Sequence, residues 1–252
     1  MKKNEISDPG RFRALTFDCY GTLIDWEAGI WDALQPLIMN NQCTSLKREQ
    51  ALEAFAVHES RLEAENPQTT YPRILQTVHV QVAQAFGLRT TRDLDKDFGD
   101  SIAHWPAFPD TADALRYLKT RFRLVILSNV SRAGFAASRR KLGVEFDAVY
   151  TAEDIGSYKP DPQNFRYMLK RLHADFGIEK ADILHTAQSL FHDHSPAANM
   201  GLSTAWIDRQ RLSQTGAWGA THKLKEVPQT DYLFHSMGEM ADAVAAGLGA
   251  SR

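Results

Sequence analysis

Cysteine is scarce in this chain. Cys19 and Cys43, two residues of 252, cannot build a disulfide framework and show no zinc-ligand spacing. A reducing, cytoplasmic setting is therefore the expected compartment. An excess of charge of either sign is also lacking. The 29 Lys and Arg nearly cancel the 31 Asp and Glu, leaving a formal net charge of -2. No basic surplus draws the chain to nucleic acid or to an anionic membrane. Long apolar runs are missing too, and none approaches the roughly 18 residues of a membrane span. The opening Met1-Lys2-Lys3-Asn4-Glu5 leads into polar sequence without the apolar centre of a signal peptide. At 43% hydrophobic and 24% charged residues, the composition is that of an ordinary globular protein.

Glycine is absent between Ile30 and Gly87. Over that stretch the apolar residues recur at helical spacing: Ile30, Trp31, Leu34, Leu37 and Ile38, then Leu52, Phe55, Ala56 and Leu62, then Ile74, Leu75, Val78, Val82 and Phe86. The flanking sequence reads differently. Short apolar runs at 13–17, 122–127, 183–187 and 203–207 each end in small or polar residues, as buried strands do. Helical patterns separate them. Asp110 stands at the start of one helix. Asp161-Pro162 opens another, whose stripe is Phe165, Met168, Leu169 and Leu172. A final helix is expected from 236 to 248. The reading is an α/β fold: a Rossmann-like parallel-sheet core over 10–25 and 105–252, with an all-helical cap over 26–104 inserted after the first strand.

In open parallel sheets the ligand site lies beyond the carboxyl ends of the strands. The residues predicted there are Asp18, Ser128, Asn129 and the segment 188–193, with Lys159 in a loop before a helix. A carboxylate, an ammonium and small polar donors at one edge are what covalent catalysis by an aspartate requires.

The same residues resemble the haloacid dehalogenase superfamily. Phe17-Asp18-Cys19-Tyr20-Gly21-Thr22-Leu23 is similar to its first motif, Leu127-Ser128-Asn129 to its second and Tyr158-Lys159-Pro160-Asp161 to its third. Ala187-Gln188-Ser189-Leu190-Phe191-His192-Asp193 stands where the fourth belongs. Phosphatases of the superfamily carry an acid two residues after the nucleophile. Here that residue is Tyr20, and Asp-x-Tyr-Gly-Thr is similar to the type II (S)-2-haloacid dehalogenases, whose leaving halide needs no proton. The resemblance implies Asp18 as nucleophile, oriented by Thr22, and Asp193 with Lys159 activating the water that hydrolyses the ester. The backbone at Cys19 and Tyr20, with Ser128 and Asn129, would hold the substrate carboxylate of a short halogenated acid, near Gln188 and Ser189. Gln188 replaces an acid of the magnesium-binding cluster, so no metal and no cofactor are expected. The cap is expected to supply an arginine to the halide; Arg48, Arg61 and Arg73 are candidates, Arg73 being preferred. A homodimer through the cap is a further implication.

Other readings stay open. His192 and His194 flank Asp193 and suit either a metal or a hydrogen bond that tunes the carboxylate. Cys19 follows the nucleophile along a strand, so its side chain is expected to turn into packing. Phe165 stands where the dehalogenases have a tyrosine. The rival functions are a magnesium-dependent phosphatase of a small phosphorylated metabolite and a non-catalytic binding protein of the same fold.

Overall fold

The computed structural model describes residues 9–218, 220 and 223–250. The charged stretch Met1-Lys2-Lys3-Asn4-Glu5 lies outside them, as do positions 219, 221–222 and 251–252 of the expected core.

The strand β1 (Ala14–Phe17) is buried along its whole length, as a run with no polar face requires when both sides of the sheet are covered. It lies at the centre of the sheet, paired in parallel with β2 (Arg123–Ser128) on one side and β4 (Ile183–Ala187) on the other. β3 (Ala148–Thr151) extends the sheet beyond β2. On the other side β5 (Ser203–Ile207) and β6 (Tyr232–Phe234) follow β4, so the order is β3-β2-β1-β4-β5-β6 with every pair parallel. The chain builds outward from β1 in one direction and then restarts at β4 in the other. The crevice where it reverses opens beyond the carboxyl ends of β1 and β4, the position at which such sheets bind ligands. Apolar pattern did not reveal β3 and β6: both are edge-side strands of 4 and 3 residues, too short for a period to register.

Between β1 and the helix α5 (Thr111–Lys119) the described elements are helical. They are α1 (Trp26–Asn40), α2 (Arg48–Glu65), α3 (Tyr71–Ala85) and α4 (Arg92–Gly99), followed by a short turn over Ser101–His104. Asp25 caps α1, accepting from the Ala28 N–H at 3.0 Å. The helices α2, α3 and α4 pack in succession, burying Phe55, Leu75, Val78 and Phe98. Each such side chain contributes roughly 1.5–3 kcal/mol when removed from water. Where this helical cap leaves and rejoins the core, the two chain segments run side by side. The Asp25 N–H meets the Pro106 carbonyl at 2.8 Å and the Phe108 N–H meets the Leu23 carbonyl at 3.1 Å. Gly29 lets α1 approach here, because a Cβ at that position would fall 2.3 Å from the Trp105 ring.

The remaining helices cover the sheet: α6 (Arg132–Leu142), α7 (Ala152–Ile155), α8 (Pro162–Phe176), α9 (Ser195–Asn199), α10 (Leu212–Thr215) and α11 (Met237–Ala250). Asp161 caps α8 through the Gln163 N–H at 2.8 Å, and Phe165, Met168 and Leu172 are buried on its inner face. Asp110 sits before α5, but its carboxylate is used elsewhere: it accepts from Arg209 Nη1 at 2.7 Å and from the Gly238 N–H at 3.0 Å.

Candidate active site

The carboxyl end of β1 places Asp18 beside β4, with its N–H on the Thr186 carbonyl at 3.1 Å. The chain then turns at Gly21, whose φ of 95° lies in the region that favours glycine. The turn brings Thr22 back beneath Asp18. The Thr22 hydroxyl donates to Asp18 Oδ2 at 2.9 Å and accepts from the Gln188 N–H at 2.9 Å. One oxygen of Asp18 is thereby tied to the first and fourth motif segments together.

The other oxygen meets Lys159. Its Nζ lies 2.9 Å from Asp18 Oδ1, 2.7 Å from Asp193 Oδ1 and 3.0 Å from the Leu127 carbonyl. Lys159 is 2% exposed and Asp193 fully buried, so the ammonium survives there only because two carboxylates and a carbonyl replace its water. Burial opposes the charge on Lys159, but Asp18 and Asp193 outweigh it and hold the ammonium above its ordinary range. Burial likewise opposes ionisation of Asp193, yet Lys159 and a hydrogen bond from His185 hold that carboxyl well below the usual range. Burial pushes Asp18 up, Lys159 pulls it back, and Asp193 adds a smaller upward push.

Asp193 stands in a single π-type turn, Leu190–His194, in which the His194 N–H reaches the Ser189 carbonyl five residues back at 3.2 Å. Its Oδ1 carries both Lys159 and His185, whereas Oδ2 is buried with no hydrogen-bond partner, and the residue lines the cleft. Ser128 Oγ is in the same condition, 2% exposed and unpartnered at the cleft wall. An oriented carboxylate, a second carboxylate with one free oxygen and an unpaired hydroxyl converge on one space, where a nucleophile and a water-activating base can act in turn.

The haloacid dehalogenase-like hydrolase family matches residues 12–186, a span holding the first three motif segments and the insert between them. The chain belongs to that family. An (S)-2-haloacid dehalogenase of Pseudomonas putida is 31% identical over 159 residues, covering 62% of this chain and 64% of that one, so the match spans slightly less than two thirds of the relative. The (S)-2-haloacid dehalogenase 1 of Pseudomonas sp. (strain CBS-3) is 25% identical over 231 residues, 86% of this chain and 95% of that one. An L-2-haloacid dehalogenase from Xanthobacter autotrophicus, with chloropropionic acid covalently bound, shares the fold. Its TM-score is 0.74 at 18% identity, over 93% of this chain and 98% of that one.

In this haloacid dehalogenase-like hydrolase the cleft is lined by Asp18, Tyr20, Ser128, Asn129, Lys159, Gln188, Ser189 and Asp193. Arg73, named from sequence, is not brought there, and the side chain of Cys19, a residue named for its backbone, turns into packing. Cys19 is fully buried in the core, its thiol pushed well above its ordinary value by burial. Arg73 is exposed at the start of α3 and lines a separate groove with Gln76, Arg92 and Lys96. A helix start beside a cleft presents only some of its faces to it, and a sequence does not say which. Arg48 reaches Glu27 at 3.6 Å, and Arg61 donates to Gln81 at 2.9 Å. No arginine is among the described residues lining the cleft.

Other partners differ from expectation as well. Ser189 caps the π-type turn, its hydroxyl accepting from the His192 N–H at 3.0 Å. Asn129 spans two segments: it accepts from the Lys159 N–H at 2.7 Å and donates to the Lys159 carbonyl and to Glu63 of α2 at 2.9 and 3.0 Å. Tyr20 gives or takes a hydrogen bond with Ser138 at 3.0 Å and packs edge-on against Trp105. The histidine set against Asp193 is His185 of β4, while His194 turns back to the Ala187 carbonyl at 2.8 Å. Phe165 packs edge-on against the His185 ring. Among the described residues no group of three or more His, Cys, Asp or Glu side chains is arranged to hold a metal ion.

Sequence reading also missed His185, Glu59, Glu63 and Tyr71. His185 lies within an apolar strand run, and the two glutamates lie outside the apolar stripes of the insert. The four-residue spacing of Glu59 and Glu63 was visible, but not the direction in which that face points.

Proposed function

We propose that this protein is a hydrolase of carbon–halogen bonds in short 2-haloacids, working through an ester on Asp18. A carboxylate oxygen of Asp18 attacks the carbon bearing the halogen, and the halide leaves with the bonding pair. Asp193, through its free Oδ2, takes a proton from water as that water attacks the ester carbonyl of Asp18, and returns it to the departing alkoxide oxygen as the 2-hydroxy acid leaves. The second water proton passes from Asp18 to solvent, which restores both carboxylates. Lys159 holds the two carboxylates in place. It also supplies the positive charge between them, which supports a reaction without a divalent ion. Cap boundaries near residues 26 and 104 fit the paired crossings at Asp25 and Pro106.

The observation that carries this reading is Tyr20. It occupies the place two residues after the nucleophile, its hydroxyl is engaged by Ser138, and burial pushes the phenol well above its ordinary value. It cannot act as acid and base toward a leaving alcohol near neutral pH. A halide asks for neither.

The test is one turnover of 2-chloropropionate in oxygen-18 water with EDTA, followed by mass spectrometry of the peptide containing Asp18. Label is expected in the Asp18 carboxylate and not in the first product. Label entering the product directly, or magnesium-dependent release of phosphate from an aryl phosphate without chloride release, overturns the reading.

A further inference from the structure

Among the described residues that line the cleft, none from the cap carries the positive charge that a departing anion would be expected to meet. Lys159, at the core edge, is already bonded to Asp18, Asp193 and the Leu127 carbonyl. Facing the nucleophile across the cleft, α2 presents Glu59 and Glu63, four residues apart and so on one helix face. Each has one carboxylate oxygen engaged by a neutral donor: Tyr71 of α3 donates to Glu59 Oε1, and Asn129 donates to Glu63 Oε2 at 3.0 Å.

We propose that Glu59 and Glu63, in their protonated form, are the hydrogen-bond donors that receive the departing halide. The proposal rests on the dehalogenase reading above and assigns the leaving-group residues within it. Displacement by Asp18 drives the halogen away from the core edge, toward the facing wall. The C–O bond forms, the carbon–halogen pair leaves with the halide, and both glutamates keep their protons. Ser128 independently marks the space as one for a polar ligand, since its buried hydroxyl, able to donate to it, has no partner in the protein and the residue lines the same cleft.

The alternative charge state fits this substrate poorly. Ionised, the two glutamates would join Asp18 and Asp193 to set four carboxylates around one ammonium, and a 2-haloacid would add a fifth. The charged and titratable groups facing the pair are Asp18, Tyr20, Tyr71, Tyr158, Lys159, His192 and Asp193. Burial pushes Glu59 up to about 7, Tyr71 pulls it back, and Asp18 adds to the rise. Glu63 is pushed well above its ordinary value, first by burial and then by Glu59. Glu59 therefore loses its proton as pH rises through about 7, and chloride release should fall over that range.

The experiment measures chloride release from 2-chloropropionate between pH 5.5 and 9 for the wild type, E59Q, E63Q and E59A, with a melting curve for each. Glutamine donates N–H at every pH. E59Q is expected to be slower than wild type at pH 6 but to hold its rate across the range, while the wild type declines. E59A should lose on the order of tenfold to a hundredfold in kcat at pH 6. Competitive inhibition by bromide should weaken with rising pH in the wild type and not in E59Q. If E59Q melts early, E63Q carries the same comparison. Wild-type and glutamine variants with parallel pH profiles, and oxygen-18 still entering Asp18, overturn this proposal alone. A wild type that releases no halide overturns it together with the reading beneath it. Turnover confined to substrates bearing an ammonium group, rising above pH 7, also overturns it, by requiring the glutamates ionised.

Discussion

His185 and Asp193 meet inside the protein, with imidazole Nε2 2.9 Å from carboxylate Oδ1 and neither side chain more than 1% exposed. A carboxylate only accepts, so Nε2 donates to Oδ1, while Nδ1 on the other side of the ring meets the Thr16 hydroxyl at 2.9 Å. Thr16 thus orients the ring, and His185 with Lys159 saturates Oδ1. The free Oδ2 is the consequence of that saturation.

His185→Leu should slow hydrolysis of the ester more than its formation. Rapid quenching during turnover of 2-chloropropionate should trap more Asp18 peptide carrying the added acyl mass, with kcat down about tenfold. His185→Gln, whose amide N–H can replace Nε2, should restore part of the rate. Equal ester levels in wild type and His185→Leu would remove His185 from the mechanism.

Asn129 joins the Lys159 backbone to Glu63 of the cap. Asn129→Ala leaves the Lys159 N–H without its partner, at a cost of about 1–3 kcal/mol. Asn129→Asp should be worse, because it replaces the amide that donates to Glu63 and to the Lys159 carbonyl with a carboxylate that only accepts. Melting temperatures at pH 8 should therefore rank wild type, Asn129→Ala, Asn129→Asp in descending order. The reverse order of the two variants would show that the contact to Glu63 carries no weight.

His194 makes stability depend on pH. It is buried, and burial lowers its pKa to about 4, against 6.5 for a free histidine. Between those values the unfolded chain binds a proton that the folded chain refuses, so stability falls as pH drops from 6.5 toward 4. The loss can reach on the order of 3 kcal/mol. Urea unfolding at pH 7.5 and pH 5 should show a larger drop for the wild type than for His194→Gln. The same drop in both would place the acid sensitivity elsewhere.

The edge that holds Asp18, Ser128 and Asn129 was legible because these residues stand at strand ends, and a strand end is a local signal. Residues 183–187 form β4 as read, and the strands expected at 13–17 and 122–127 appear as β1 and β2 with ends shifted by one residue. The cap wall was not legible in the same way. Helical spacing showed that Glu59 and Glu63 share a face, but packing against α3 and the core decides whether that face meets water or the cleft. The same limit misplaced Arg73.

The sequence by itself determined the alternation of short apolar runs with helical stripes, the glycine-free insert and the order of Asp18, Ser128, Lys159 and Asp193. These are properties of neighbours along the chain. Tertiary structure alone decided that Lys159 binds both carboxylates, that His185 occupies one oxygen of Asp193, and that two glutamates rather than an arginine close the cleft. Those contacts join residues as far as 141 positions apart. Burial and neighbouring charges together set their charge, and both are fixed only when distant segments exclude water together.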